Sequence, residues 1–183
     1  MRICAFSDIH ESYNFLKKIS SYLENSKPDL ILFAGDFLNS GSSQEYTIDF
    51  LDILEGTKIP TLAVTGNADD EDTALILEKK GISLENRTIE IDGEKFSGFS
   101  PDATKPFTKG FDIAGSIAMS HHPISMPSKK LAGSPKIWIA GHLHRYWVES
   151  KFNTLYVHLP AANNMKVVSV DSSTSKCRII NIS

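Results

Sequence analysis

The sequence predicts an α/β domain built mainly on parallel strands. Short apolar runs alternate with segments whose apolar residues recur at helical spacing, which is the pattern of consecutive βαβ units. Of the 183 residues, 41% are hydrophobic and 22% charged, a composition typical of globular proteins. Because domains usually hold about 100–200 residues, we expect a single domain over residues 1–183.

The first half of the chain predicts three strands that alternate with three helices. Phe15, Leu16 and Ile19 lie at helical spacing in the first helix, and Pro28 ends it. Acidic residues suit the start of the third helix, and Gly81 suits its end. The predicted strands cover residues 2–7, 30–34 and 61–65, and the predicted helices cover residues 11–25, 44–55 and 70–80.

The second half is predicted to be mostly β-structure. Asp92-Gly93 and Asn153-Thr154 are interpreted as hairpin turns, and residues 101–110 as a loop. Cys4 and Cys177 are too few for a disulfide framework and are interpreted as small core residues. The predicted strands cover residues 89–91, 95–99, 113–119, 136–140, 146–150, 154–158, 166–170 and 177–182.

Charge and hydropathy disfavour two classes of partner. The formal net charge is −3 and the isoelectric point about 6.1, which gives no general attraction to long nucleic acids. No apolar run approaches the roughly 20 residues that span a bilayer, and the first residues lack the features of an export signal. The sequence therefore predicts a cytoplasmic protein without a membrane segment.

Polar side chains follow directly after several of the apolar runs. In open α/β sheets, ligands bind outside the carboxyl ends of the strands, so these side chains should face one crevice. Each short motif is weak alone, since Gly-Asp or Gly-Asn is more often a turn than a ligand, by about 5 to 1. The set is Asp8, His10, Asp36, Asn67, His121, His142 and His144.

Carboxylate, imidazole and amide groups together indicate divalent metals of the borderline or hard kind. A site without thiolates disfavours soft metals and iron–sulfur clusters. Two cations about 3.5–4 Å apart can bind both the nucleophile and the leaving group of an in-line phosphoryl displacement, and a bridging carboxylate would hold them at that separation. Mn, Fe, Zn, Ni and Co all accept these ligands, so the sequence leaves the metal open.

The order Asp-x-His, Gly-Asp, Gly-Asn, His-x-Pro and Gly-His-x-His resembles the calcineurin-like metallophosphoesterase superfamily over residues 8–144. The resemblance implies a sandwich of two mixed β-sheets flanked by helices. It also implies in-line attack on phosphorus by a metal-bridging hydroxide, without a protein nucleophile. The implied ligands are Asp8, His10, Asp36 and His144 for the first metal, and Asp36, Asn67, His121 and His142 for the second, with Asp36 as the bridge.

Ala68 departs from the phosphatase branch of this superfamily, which has a proton-donating histidine after Gly-Asn. General acid catalysis is typically worth about 100- to 10,000-fold, so its loss disfavours substrates with poor leaving groups. Gly-Asn-Ala-Asp instead resembles small prokaryotic phosphodiesterases, with Asp69 as a support behind the ligands. Phe37, which follows Asp36, begins a segment unlike the Val-Asp-Arg-Gly of protein Ser/Thr phosphatases. We therefore expect a small phosphodiester substrate.

Some polar residues receive no metal role. His121 is preferred to His122 because in the superfamily the histidine two residues before the proline binds the metal, and His122 should point elsewhere if the segment is extended. A structural role is favoured for His158, and a solvated surface for Lys129 and Lys130.

Three other functions stay open at this stage. A phosphomonoesterase or a nuclease of the same superfamily would use the same ligands, although a nuclease needs a basic groove. A protein-binding scaffold of the same fold, like a retromer subunit of this superfamily, is a further possibility. Such scaffolds tend to lose ligands, and all seven are present. The short connection between His121 and His142 predicts an open, shallow site.

Overall fold

The structure is a computed structural model that describes residues 1–101, 112–123 and 133–183. In these ranges two mixed β-sheets pack as a sandwich and three helices flank one of them, which confirms the predicted fold. The helices are α1 (Tyr13–Ser26), α2 (Glu45–Thr57) and α3 (Glu71–Lys79). The strands are β1 (Arg2–Phe6), β2 (Leu30–Ala34), β3 (Thr61–Val64), β4 (Thr88–Ile91), β5 (Glu94–Phe99), β6 (Ile117–Ser120), β7 (Ile137–Ala140), β8 (Trp147–Lys151), β9 (Thr154–His158), β10 (Lys166–Asp171) and β11 (Lys176–Asn181).

The first sheet has the strand order β11-β10-β1-β2-β3. Strands β1, β2 and β3 are parallel, and β10 and β11 join antiparallel. All five residues of β2 are buried, because a strand in this position is covered on both faces. The continuous apolar run of β2 follows from that position.

The second sheet has the strand order β4-β5-β6-β7-β9-β8. Strands β5, β6, β7 and β9 run parallel, whereas β4 and β8 are antiparallel edge strands. Strand β9 lies between β7 and β8 because the β8–β9 hairpin folds back onto the sheet. Because β6 and β7 pair in parallel, their carboxyl ends are neighbours.

Alternating side chains of the first sheet fill two apolar layers. Phe6 and Phe33 point toward the helices and pack with Phe50 of α2, and the ring centroids of Phe6 and Phe33 are 5.5 Å apart. Leu32 and Val64 point the other way, into the layer shared with the second sheet. This alternation follows the two-residue period of a strand.

The observed elements differ from the predicted ones in local detail. Helix α1 begins at Tyr13 because Ser12 caps it, accepting a hydrogen bond from the backbone N–H of Phe15 at 3.3 Å. Strand β6 begins at Ile117, not at residue 113, because Ala114 and Gly115 form a turn with a φ of 68° at Gly115.

The second predicted hairpin turn is wrong by one residue. The turn is formed by Phe152 and Asn153, which both have positive φ, while Thr154 pairs with Lys151 at the end of the ladder. The turn at Asp92-Gly93 is confirmed. Among the cysteines, Cys4 is buried as expected, but Cys177 is only partly buried.

Two predictions concern residues outside the described ranges: residues 102–110 of the predicted loop, and Lys129 with Lys130. In the part of the chain that the structure describes, no helix is both long and apolar enough to cross a membrane.

Candidate metal centre

The predicted site residues converge at one end of the sandwich. Five segments carry them, each following the carboxyl end of β1, β2, β3, β6 or β7. The first three strands belong to one sheet and the last two to the other. His121 of the second sheet contacts the first directly, since its Nδ1 lies 2.8 Å from the carbonyl oxygen of Ala34. The cluster therefore spans the seam between the sheets.

Asp8, His10 and His144 form one group of potential ligands. Asp8 Oδ2 accepts hydrogen bonds from Ser7 Oγ at 2.5 Å and from the backbone N–H of His142 at 3.0 Å. Its other oxygen, Oδ1, is buried and has no hydrogen-bond partner among the residues that the structure describes. His144 Nε2 lies 3.1 Å from that oxygen, but not in a direction that makes a hydrogen bond. His10 Nε2 faces His144 Nε2 at 3.3 Å. Asp8 Oδ1 and these two nitrogens are therefore close enough together to bind one metal ion.

Asp36 links this group to a second one. Its Oδ1 accepts a hydrogen bond from the backbone N–H of Ala68 at 2.9 Å. Its Oδ2 lies 3.6 Å from His10 Nε2 and 3.4 Å from His121 Nε2. Burial opposes ionisation of Asp36, but the hydrogen bond and charge of His121 lower its pKa. The carboxylate is therefore charged and placed between histidines that follow strands of different sheets.

His121 and Asn67 supply donor atoms on the far side of Asp36. The Nδ1–H of His121 donates to the carbonyl of Ala34, and its Nε2 lies 3.0 Å from Asn67 Oδ1. Burial disfavours the charged ring, yet the Asp36 carboxylate raises the pKa of His121. An oxygen acceptor thus lies beside each ring nitrogen of His121. Two acceptors favour a positive charge on this side chain, either a second proton on the ring or a metal ion bound to Nε2.

His142 is held in a neutral form beside this group. Burial lowers its pKa, and the neighbouring His122 and His121 rings lower it further. Metals bind the neutral imidazole, so His142 is prepared to act as a ligand. Its backbone N–H also donates to Asp8, which ties the segment after β7 to the segment after β1.

His122 faces the site, because the segment is not extended, which was the condition for its side chain to point elsewhere. Its ring centroid lies 4.3 Å from that of His142 and 5.1 Å from that of His121. The chain bends at His121 and His122 after β6 ends, so neighbouring side chains are not driven to opposite sides. A pair of histidines directly beyond a strand end was the sequence signal that could have revealed this position.

Asp69 lies behind the ligands and holds two of their segments together. Its Oδ2 accepts hydrogen bonds from the backbone N–H groups of Asp36 at 2.9 Å and Gly66 at 2.8 Å. Its Oδ1 accepts from Phe37 at 2.8 Å and Leu38 at 3.1 Å. Burial raises the pKa of Asp69 to about 6, while the N–H groups favour its charged form. The supporting role expected for this residue thus takes the form of four backbone hydrogen bonds.

Gly66 and Gly141 are required by the close approach of these segments. A Cβ on Gly66 would overlap the Oδ1 of Asp36, and a Cβ on Gly141 would lie 2.6 Å from Ser7 Oγ. Such separations are not tolerated between non-bonded atoms. The glycines of Gly-Asn and Gly-His therefore serve close packing, a role that the sequence patterns did not reveal.

Several candidate ligands adopt left-handed backbone conformations. The φ angles are 58° at Asp8, 48° at His10, 60° at Asp36, 68° at His142 and 53° at His144. For residues other than glycine such conformations cost on the order of 1–3 kcal/mol each and concentrate at functional sites. Asp and His tolerate them better than most residues. Hydrogen bonds such as those that Asp69 accepts offset the cost of these backbone conformations.

The arrangement fits metal ions. Asp8 and Asp36 each use one carboxylate oxygen in backbone or hydroxyl hydrogen bonds and direct the other toward histidine nitrogens. His10 Nδ1 lies 3.2 Å from the carbonyl of Leu38, which leaves its Nε2 as the ligand atom. Hydrogen bonds of this kind orient metal ligands in proteins. The donor set of carboxylate, imidazole and amide oxygen suits divalent cations.

A family model described as calcineurin-like phosphoesterase matches residues 1–146. The chain belongs to the calcineurin-like phosphoesterase family. This is a family of metal-dependent hydrolases that act on phosphoesters. No curated protein matches the chain in sequence.

Solved structures share the fold of this calcineurin-like phosphoesterase. TT1561 of Thermus thermophilus superposes with a TM-score of 0.79 at 14% identity, covering 100% of this chain and 99% of its own. A protein described as a novel archaeal phosphodiesterase gives 0.62 at 17% identity, covering 98% and 99%. GAP50 of Plasmodium, described as the anchor in the inner membrane complex, gives 0.59 at 13% identity, covering 100% and 89%.

The ring of His158 contacts Trp147, which is not one of the candidate ligands. Its ring stacks on Trp147 with centroids 3.5 Å apart, and 6% of the residue is exposed. The stacking is consistent with the structural role expected for it.

Proposed function

We propose that this protein is a dinuclear metal-dependent phosphodiesterase. The observation that carries the proposal is the convergence, at the seam of the two sheets, of seven side chains that could bind metal, with Asp36 between the two groups. The proposed ligands of the first metal are Asp8, His10, Asp36 and His144, and those of the second are Asp36, Asn67, His121 and His142.

The charges of the site explain why cations are needed. Asp8 accepts a hydrogen bond from the backbone N–H of His142, Asp36 from that of Ala68, and Asp69 from that of Asp36. These hydrogen bonds place three carboxylates in adjoining segments, where they would repel a phosphoester. Two divalent ions, when bound, would reverse this charge, activate water and stabilise the in-line displacement. Mn, Fe, Zn, Ni and Co are all compatible with the donor atoms.

The residues of the chain hold these donors in one arrangement before substrate binds. Asp69 fixes the turn after β2, the carbonyl of Ala34 selects the ring nitrogen of His121 that faces Asp36, and Ser7 orients Asp8. Preorganised groups of this kind need no rearrangement during the reaction, which is a large part of enzymatic rate enhancement.

Ala68 favours diesters within this chemistry. Its methyl group can neither donate nor accept a proton, and its backbone N–H is committed to Asp36. A substrate whose leaving group departs without a strong acid would be less affected by this lack. The archaeal phosphodiesterase of the same fold supports the choice. We propose a small phosphodiester as substrate, rather than a long nucleic acid, in keeping with the net charge of −3.

The test is hydrolysis of three substrates side by side: a chromogenic phosphodiester, the matching monoester and an oligonucleotide. Protein stripped of metal is reloaded separately with Mn, Ni, Co, Zn and Mg. We expect metal-dependent turnover with a preference for the diester. Preference for the monoester would reject the argument from Ala68 while retaining the metal centre, and cleavage of an oligonucleotide alone would indicate a nuclease.

A protein-binding scaffold is the second candidate, because GAP50 shares the fold and is described as an anchor. A scaffold predicts no turnover of either ester with any of the metals. The complete set of seven donor residues favours the enzyme, since a scaffold has no need to maintain buried carboxylates and strained ligand conformations.

A further inference from the structure

The three histidines His121, His122 and His142 form a cluster that extends beyond the family's ligand pattern. Their potential ligand nitrogens lie within 4.8 Å of one another. The ring planes meet at steep angles, 72° for His121 with His122 and 65° for His122 with His142. Rings in this arrangement meet edge to face instead of stacking their faces.

The separation of the nitrogens is close to that required by a common ion. Metal–nitrogen bonds measure about 2.1 Å, so two nitrogens on one ion are at most about 4.2 Å apart. Because no pair of these nitrogens is more than 4.8 Å apart, bringing them to that separation requires a shift below about 1 Å, which side-chain torsions can supply. His122 is partly exposed and has room for this adjustment.

The main chain beneath His122 is fixed by contacts on the outer face of the second sheet. Trp138 Nε1 donates to Ser120 Oγ at 2.9 Å, and Ser120 Oγ donates to the carbonyl of His122 at 2.7 Å. Trp138 and Ser120 are both buried. The backbone from which the His122 side chain projects is thus held by buried groups, as expected for a residue whose position matters.

We propose that His122 is an additional ligand of the second metal, an inference that rests on the dinuclear centre proposed above. The second position would then have three imidazoles, from His121, His122 and His142, beside the oxygens of Asp36 and Asn67. The first position would have two imidazoles and two carboxylates. Imidazole-rich sites suit Zn, Ni, Co and Fe, whereas carboxylate-rich sites suit Mn and Mg. The two positions therefore differ in metal preference.

The experiment compares metal binding by the wild-type protein, His122→Ala and His158→Phe. Each stripped protein is titrated with Zn²⁺ and separately with Mn²⁺ by calorimetry, and bound metal is counted by elemental analysis. His158→Phe is the matched control because it removes a histidine outside the cluster and preserves a ring that can stack on Trp147. Circular dichroism confirms that all three proteins are folded.

We expect the wild-type protein and His158→Phe to bind two Zn²⁺ ions. His122→Ala should keep one site unchanged and lose affinity at the other by at least about 10-fold, a loss typical even of changes just outside the ligand shell. The loss should be larger for Zn²⁺ than for Mn²⁺.

The outcomes separate this inference from the proposed function. Two Zn²⁺ sites of unchanged affinity in His122→Ala would overturn the role of His122 as a ligand, whatever happened to its turnover. A wild-type protein that bound neither ion would overturn the dinuclear centre itself.

Discussion

Asp36 faces both groups of candidate ligands through a single oxygen. Its Oδ2 lies within 3.6 Å of histidine nitrogens on either side, while Oδ1 is held by the backbone of Ala68. One carboxylate oxygen is thus committed to orientation and the other is directed into the site. The same division of roles appears at Asp8.

Asp36→Ala should abolish binding of both metals and nearly all turnover, because it removes the donor common to both positions. Changes outside the ligand shell cost about 10–100-fold, so this substitution should cost more than about 100-fold in turnover. Elemental analysis and diester hydrolysis measure the two effects. Asp49→Ala, which removes an exposed carboxylate from α2, is the control. Two retained metals and an unchanged rate in Asp36→Ala would show that the assigned centre is wrong.

Asp69→Asn should destabilise the protein and weaken metal binding. The Asn side chain accepts hydrogen bonds only on its oxygen, and its NH₂ group replaces the other carboxylate oxygen. Two of the four backbone N–H groups would therefore face that NH₂ group, which is itself a donor. Leaving such groups unsatisfied costs about 1–3 kcal/mol each, and metal affinity should fall about 10–100-fold. Urea denaturation and metal titration measure the two effects.

Asp70→Asn is the matched control for that substitution. Asp70 caps α3 by accepting from the backbone N–H of Thr73 at 2.9 Å, and Asn caps helices as well as Asp does. Its stability should change little. Equal stability of Asp69→Asn and Asp70→Asn would contradict the supporting role of Asp69.

The order of motifs correctly predicted that these seven side chains meet, because residues beyond the carboxyl ends of neighbouring parallel strands lie close together. Their role as metal ligands stays a prediction. Placing His122 required the bend after β6, which depends on contacts with Ser120 and Trp138. The number of hydrogen bonds to Asp69 was also beyond the sequence, since its donors come from two separate segments. The alternation and spacing of apolar residues predict single helices and strands. The orientation of His122 and the hydrogen bonds to Asp69 depend instead on contacts between elements.

At the scale of elements, the parallel strands bring the loops at their carboxyl ends so close together that the contact has no room for a side chain. The turn after β3 lies against the turn after β2, and the residue at the contact is Gly66. The loops at this edge are consequently packed as tightly as a core, although they carry polar residues.

Gly66→Ala should disrupt the centre without changing any donor atom. The added methyl group would overlap Asp36 Oδ1 and crowd its backbone nitrogen, so Asp36 must move. We expect a turnover loss of about 100-fold or more, since displacement by about 1 Å can cost that much. Gly56→Ala in α2, where a Cβ meets no atom within 4 Å, is the control and should be neutral or stabilising. Full activity of Gly66→Ala would mean that Asp36 does not need its present position.

Most elements were predictable because their apolar runs are long and bounded by Pro, Gly or capping residues. The strand at residues 30–34 and the strand at residues 154–158 agree with β2 and β9 in both bounds. The errors fall where turn geometry decides, as at Phe152-Asn153 and at Gly115. The spatial order in which β9 precedes β8 is a property of the whole sheet and has no local signal.

At the scale of the whole molecule, metal binding should stabilise the protein as well as activate it. The proposed ligands come from both sheets, so bound ions would cross-link the two halves of the sandwich. At a free metal concentration of 100 times Kd, the gain is about 2.7 kcal/mol for each ion, which corresponds to a rise in Tm of about 5–10 °C per ion.

Scanning calorimetry of stripped and reloaded protein tests this expectation. Asp36→Ala should show no metal-dependent rise, and Asp49→Ala should show the full one. A Tm that did not change with metal in the wild-type protein would mean that the ions do not bind the folded protein in preference to the unfolded chain, and it would contradict the proposed centre.

The position of the centre at the seam also has a consequence for biosynthesis. With the ligands proposed here, the first ion needs Asp8 and His144, and the second needs His121 and His142. A nascent chain emerging from the ribosome therefore lacks a complete set for either ion until its last ligands have been synthesised and β6 and β7 have docked. Stable metal capture would then mark a chain whose two sheets are already assembled, and premature loading of a half-made protein would be avoided.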